Sequence, residues 1–130
     1  MGRGRYVYSD GAECEGEFSD FLLNGKGFCK YPDGSYSKGN WEKGKLNGIG
    51  EHKYKNGNRY KGEFENSEPH GNGIYYSVNG DRYEGEFSEG LFHGFGVAYS
   101  ESNSKIVQGT WKRGKLTTKT VEQCDKNVSI

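Results

Sequence analysis

The chain has 130 residues, the length of one domain, and its eighteen basic and eighteen acidic side chains cancel. No net field therefore draws it to nucleic acid or to an anionic membrane surface. Only 31% of residues are hydrophobic and the mean hydropathy is −1.01, which leaves too few aliphatics for a thick two-layer core. Aromatics nevertheless reach 15%, which argues against disorder and for a thin sheet faced with rings.

In chain order, Gly2-Arg3-Gly4 opens in the middle of a pattern that then repeats, so the first hairpin, 2–11, is half a unit. Such an abrupt start is what a piece of a longer array would show. Full units begin near 14, 37, 60 and 83, and a degenerate one begins at 107. Their strand glycines Gly16, Gly39, Gly62 and Gly85 are each 23 residues apart, and Gly109 follows after 24. Two residues on stands an aromatic each time: Phe18, Trp41, Phe64, Phe87 and Trp111. A G-x-G pair keeps the same beat at Gly25/Gly27, Gly48/Gly50, Gly71/Gly73 and Gly94/Gly96. Asp10-Gly11, Asp33-Gly34, Asn56-Gly57 and Asn79-Gly80 close the units.

Each unit reads as a β-hairpin. In NRYKGEF (58–64), Tyr60, Gly62 and Phe64 alternate with Arg59, Lys61 and Glu63, the period of a half-buried strand. GNGIYYS (71–77) is the returning strand. Asn-Gly or Asp-Gly then supplies the positive φ values of a tight turn into the next unit. Glycine inside a strand costs stability, so its place beneath the alternating rings is steric: it lets a ring lie flat across the sheet. No segment carries a helical apolar period. The expected fold is all-β, a single elongated twisted antiparallel sheet of about five stacked hairpins. The array spans 1–116, and 117–130 forms a closing strand (KLTTKTV, 115–121) with a frayed or helical tail from Glu122.

YKGEFENSEPHGNG (60–73) and YEGEFSEGLFHGFG (83–96) resemble the MORN repeat (membrane occupation and recognition nexus). That unit runs Tyr-x-Gly-x-aromatic, Gly, His-Gly-x-Gly and a turn glycine. The units from Cys14 and Ser37 depart from it. Cys14 replaces the leading Tyr, Tyr36 precedes Ser37 by one place, Asn24 and Asn47 hold the His position, and Phe21 and Ser67 replace the loop glycine of Gly44 and Gly90. The resemblance covers about residues 2–116. It implies a stacked-hairpin sheet with an aromatic-lined groove, and a scaffold or adaptor role in cytoskeletal, ciliary or membrane-contact assemblies. It also implies that partner peptides bind the groove and that some members pair end to end as homodimers.

No enzyme is expected. The glycines do not form a Gly-x-x-x-x-Gly-Lys-Ser/Thr loop and lead into no helix N-terminus. His70 and His93 share a column about 10 Å apart at ~4.8 Å per strand, too far to share one metal ion. Glu84/Glu86 and Glu15/Glu17 fall on the face opposite Tyr83 and Phe87 as solvated charge, and no cofactor is implied. The candidate partner-binding groove is Tyr36, Trp41, Tyr54, Tyr60, Phe64, Tyr75, Tyr83 and Phe87, because exposed contiguous aromatic surface marks an interaction site. Its expected guest is an extended or helical peptide. The alternatives are an anionic-lipid adaptor using Arg59, Lys61, Arg82, Lys53 and Lys55, or a self-assembling structural module. Nucleic acid is disfavoured by the matched charge. Cys14, Cys29 and Cys124 are an odd number without framework spacing, which favours a reduced, cytoplasmic setting and so free thiols. Association with the cytoskeleton or a membrane is what the family resemblance implies. No run is long enough to cross a bilayer, no signal segment opens the chain, and Tyr6 breaks the N-myristoylation pattern. The NVS sequon at 127–129 is a chance match.

Overall fold

The computed structural model of the protein describes residues 2–102 and 104–124, the last four as backbone alone. Its strands are β1 (Gly2–Val7), β2 (Glu13–Ser19), β3 (Leu22–Lys30), β4 (Tyr36–Glu42), β5 (Lys45–Lys53), β6 (Arg59–Glu65), β7 (Glu68–Tyr76), β8 (Arg82–Ser88), β9 (Leu91–Ser100), β10 (Lys105–Lys112) and β11 (Lys115–Cys124). All eleven lie in one antiparallel sheet in sequence order. β1 is the half-unit, and five hairpins follow it. Among the described residues there is no helix. The closing strand runs further than its sequence suggests: β11 extends through Glu122 to Cys124, so those residues are neither frayed nor helical. Residues 125–130, the rest of the expected tail, lie outside the described residues.

A continuous row of glycines crosses the sheet at right angles to the strands. Gly4 pairs with Gly16, Gly16 with Gly27, Gly27 with Gly39, Gly39 with Gly50 and Gly50 with Gly62. Gly62 then pairs with Gly73, Gly73 with Gly85, Gly85 with Gly96 and Gly96 with Gly109. The row leaves no side chains along the middle of the sheet, and two devices cover it. In the units led by tyrosine, that ring folds over the row: a Cβ on Gly73 would stand 2.2 Å from Tyr60 Oη, and one on Gly96 the same distance from Tyr83 Oη. In the units led by Cys14, Ser37 and Val107, a leucine from the returning strand covers it instead. A Cβ on Gly27 would meet Leu23 Cδ2 at 2.6 Å, one on Gly50 Leu46 Cδ2 at 3.3 Å, and one on Gly109 Leu116 Cδ1 at 2.8 Å. Where leucine covers the row in this way, the leading position carries no tyrosine. The core that results is one cluster, from Cys14 and Leu23 through Trp41, Leu46, Tyr60 and Phe64 to Tyr83 and Phe87.

The dipeptide glycines Gly11, Gly34, Gly57 and Gly80 have positive φ, but the tight two-residue turns are at the other end of each hairpin. Around Asn56-Gly57 the loop has three residues: Gly57 N–H donates to Tyr54 O, Tyr54 N–H donates to Asn58 O, and only Gly57 has positive φ, 97°. This is a type I turn closed by a glycine bulge, with Asn56 Oδ1 accepting from Asn58 N–H at 3.0 Å. The two-residue turns are the hairpin tips Asp20-Phe21, Lys43-Gly44, Asn66-Ser67, Glu89-Gly90 and Arg113-Gly114, where both residues have positive φ. Each tip after the first is tied to the preceding hairpin, as Gly44 N–H donates to Leu23 O and Ser67 N–H to Leu46 O, both at 2.9 Å. Asn24 and Asn47 accept the neighbouring tip amides of Lys43 and Asn66. That bond accounts for their presence in the histidine column.

The two glycines of each G-x-G pair do different work. Gly73 belongs to the row, whereas Gly71 takes φ of 93° inside a bulge, where β7 runs two residues long against β6. A side chain there would be strained. The glutamate opposite the bulge caps it. Glu17 Oε2 accepts from Lys26 N–H and Glu86 Oε2 from Phe95 N–H. Glu17 and Glu86 are thus structural acceptors as well as solvated charge.

Cys14 and Cys29 sit directly opposite each other on β2 and β3, with Cα atoms 4.0 Å apart, and are joined by a disulfide. The expectation of free thiols fails for this pair, and with it the support that the cysteine number and spacing lent to a reduced compartment. Their separation of 15 residues resembles no disulfide framework, so only the strand register reveals the pairing.

Candidate functional site

Strand alternation divides the side chains between a ring face and an outer face. Of the eight residues expected to line a groove, Trp41, Tyr60, Phe64, Tyr83 and Phe87 are on the ring face but buried, Tyr60 at 0% and Trp41 at 7% exposure. They pack on one another. Tyr60 meets Phe64 and Phe87 edge-on at centroid distances of 5.1 and 4.7 Å, and Tyr83 meets Phe87 and Trp111 edge-on at 5.2 and 5.4 Å. Their polar tips turn inward. Tyr60 Oη donates to Glu63 O at 2.8 Å, Tyr83 Oη to Glu86 O at 3.0 Å, and Trp41 Nε1 to Gly27 O at 2.9 Å. Burial pushes the Tyr60 phenol well up and that of Tyr83 to about 12. These rings are core, formed within a single layer because each covers its neighbour.

Tyr36 is not on the ring face at all. It alternates with Ser37 and Trp41, points to the outer face, stacks on Phe28 at 5.5 Å and donates to Glu51 Oε2 at 3.0 Å. The one-residue displacement before Ser37 carries it across, as a shift of one residue must.

Tyr54 and Tyr75 remain half-buried at the edge of the core, 5.9 Å apart, with Asn58 Nδ2 donating to Tyr75 Oη at 2.7 Å. Tyr54 belongs to a row not singled out in the sequence, Tyr8, Tyr31 and Tyr54, which packs beside the core on the turn side. The signal was available, since these three are also 23 apart. Burial, with Tyr75 nearby, pushes the Tyr54 phenol to about 12.

Among the described residues, three hollows of the ring face follow this row. The first hollow, about 400 Å³, includes Tyr8, Ala12, Cys14, Tyr31 and Trp41 in its lining. The second, about 580 Å³, is formed by Ser35, His52, Tyr54 and the turn residues Asp33, Lys55 and Asn56. The third, about 260 Å³, lies between Tyr75, Tyr83 and Phe92. In the middle hollow His52 Nδ1 is 2.6 Å from Ser37 Oγ and its ring meets Tyr54 edge-on at 4.5 Å. Burial holds the imidazole pKa below its usual 6.5, so it is neutral at pH 7.

The outer face binds its own charges. Glu51 lies 3.8 Å from Lys38 and 3.7 Å from Arg59. Arg59 stands over the Tyr76 ring at 4.9 Å, and Arg82 over Tyr99 at 3.8 Å with Glu84 beside it. His70 Nε2 lies 3.8 Å from Glu65 Oε1, across a hairpin tip. Among the described residues no cluster of three or more His, Cys, Asp or Glu side chains could hold a metal ion.

One open sheet of near-identical hairpins, with its rings self-covered and its tips chained, defines a solenoid-like repeat module whose units bury a core only by stacking. The MORN repeat profile matches residues 1–13, 14–36, 38–59, 60–82 and 83–105, and the chain belongs to the MORN-repeat family. No curated protein matches it. MORN repeats are non-catalytic modules of protein and membrane interaction.

Proposed function

We propose that this protein is a scaffold or adaptor that holds an extended or helical segment of another protein along the turn side of its ring face. One observation carries the reading: the three hollows follow one another along the line of Tyr8, Tyr31 and Tyr54, on a face that no second layer covers among the described residues. Half-buried tyrosines beside a packed core are the type of residue that anchors protein interfaces. The contact surface is therefore Tyr8, Tyr31, Tyr54 and Tyr75, with the buried rings as its floor. An anionic-lipid role gains less support. Of the cationic cluster, Arg59 and Arg82 are already engaged by carboxylates and by the Tyr76 and Tyr99 rings.

The test is affinity capture with wild type against Tyr54→Ser/Tyr75→Ser, after circular dichroism has shown both to be folded. Proteins retained by the wild type and lost by the double variant are expected. A capture list unaffected by the variant, together with sedimentation on phosphatidylserine vesicles that charge reversal at Lys53 and Lys55 abolishes, would replace the reading with the membrane one.

A further inference from the structure

The third hollow has a cause that the repeat makes visible. On the turn-side row, tyrosine stands at positions 8, 31 and 54, but serine takes the next two places, Ser77 and Ser100. On the adjoining row Tyr60, Tyr75 and Tyr83 are followed by Ala98 and Val107, which pair in register with Tyr83 and with each other. Ser77 and Ser100 thus stand where the row earlier carries Tyr8, Tyr31 and Tyr54, while Ala98 stands one unit after Tyr75 and Val107 one unit after Tyr83. The gap of about 260 Å³ between Tyr75, Tyr83 and Phe92 is what these four smaller side chains leave. The walls are rings packed on one another: Phe92 stacks flat on Tyr83 at 3.9 Å, and Tyr75 meets Phe92 edge-on at 6.1 Å.

We propose that this gap is a socket for one aromatic side chain, tyrosine or tryptophan, of a bound protein. Its volume is below the roughly 300–1,000 Å³ of small-molecule sites, so it suits a single side chain rather than a cofactor. Ring walls favour an aromatic guest, which gains edge-to-face contacts that an aliphatic one does not. The guest's hydroxyl or indole N–H would face the polar turn-side rim, where Ser77, Ser100 and Asp81 line the hollow. As the anchor of a longer segment, the socket rests on the scaffold reading. As a receptor for a free ring, it does not.

The test uses the side-chain analogues p-cresol and 3-methylindole, titrated against the folded protein and read by amide chemical shifts. Saturable shifts confined to residues around Ala98, Tyr83 and Ser77 are expected, and at least tenfold weaker binding in Ala98→Phe, whose own ring fills the gap. Ser77→Tyr, which restores the row found at positions 8, 31 and 54, should block the probes equally and serves if Ala98→Phe fails to fold. Absence of saturation, or shifts that persist in both filled variants, would overturn the socket. Because the probes need no partner protein, a failed capture experiment would leave this result standing, and a failed titration would leave the scaffold reading standing.

Discussion

Replacing Gly73 by alanine isolates the steric role of the glycine row. Gly73 is not in a left-handed conformation, so on backbone grounds alone alanine would be neutral or slightly stabilising, by about 0.4–1 kcal/mol. The structure demands the opposite. The new Cβ would lie 2.2 Å from Tyr60 Oη and 2.4 Å from Cζ, and that ring is wholly buried, hydrogen-bonded to Glu63 O and packed on Phe64 and Phe87. The ring must shift within the core, at about 1–3 kcal/mol for overpacking, or leave it, at about 3–5 kcal/mol for a lost buried aromatic. A loss of about 2–4 kcal/mol is expected, or roughly 6–20 °C in Tm for a chain of this size. Urea unfolding followed by circular dichroism and tryptophan fluorescence measures it. Gly4→Ala is the control: nothing lies within 4 Å of its Cβ, and its stability should stay within about 0.5 kcal/mol of wild type. A Gly73→Ala variant as stable as the control would refute the reasoning. So would an equal loss in a Tyr60→Leu background, where the clash no longer exists and a double-mutant cycle should report strong coupling.

Two further outcomes follow from the turns and from the middle hollow. Phe21 has φ of 66° and is 83% exposed at a tip where Gly44, Gly90 and Gly114 stand in other units. Phe21→Gly should therefore stabilise the protein by about 1 kcal/mol in urea unfolding, the cost of a left-handed L-residue, and a loss of stability would show that the ring packs usefully. His52 has a folded pKa below 6.5, so the unfolded chain binds its proton more readily. Its contribution is complete above that value and is lost as pH falls through the lower folded one. The urea midpoint should drop between pH 7 and pH 5, and less steeply in His52→Gln. Equal slopes would exclude the imidazole as the cause.

The amino-acid sequence by itself determines the period, the hairpins and the all-β class. A repeat of 23 residues with alternating rings and glycines can bury its rings only by stacking like strands. It also carries the glycine columns, because a missing side chain is a property of the residue and not of its surroundings. Which rings are covered was decided by the tertiary structure. Tyr60 and Tyr83 have the same local pattern as an exposed groove would, and only neighbours from adjacent hairpins bury them. The side of the sheet taken by Tyr36 depends on a one-residue displacement that reads as a minor departure in the sequence and moves a ring from one face to the other. The turn types went the same way: Asn56-Gly57 has the composition of a two-residue turn, but strand pairing leaves three residues in that loop and assigns the tighter turn to Asn66-Ser67. Cys14 and Cys29, fifteen apart, meet because register places them opposite each other. The socket at Ala98 is written in the sequence as absent rings, and it becomes a cavity because Tyr75, Tyr83 and Phe92 hold their places around it.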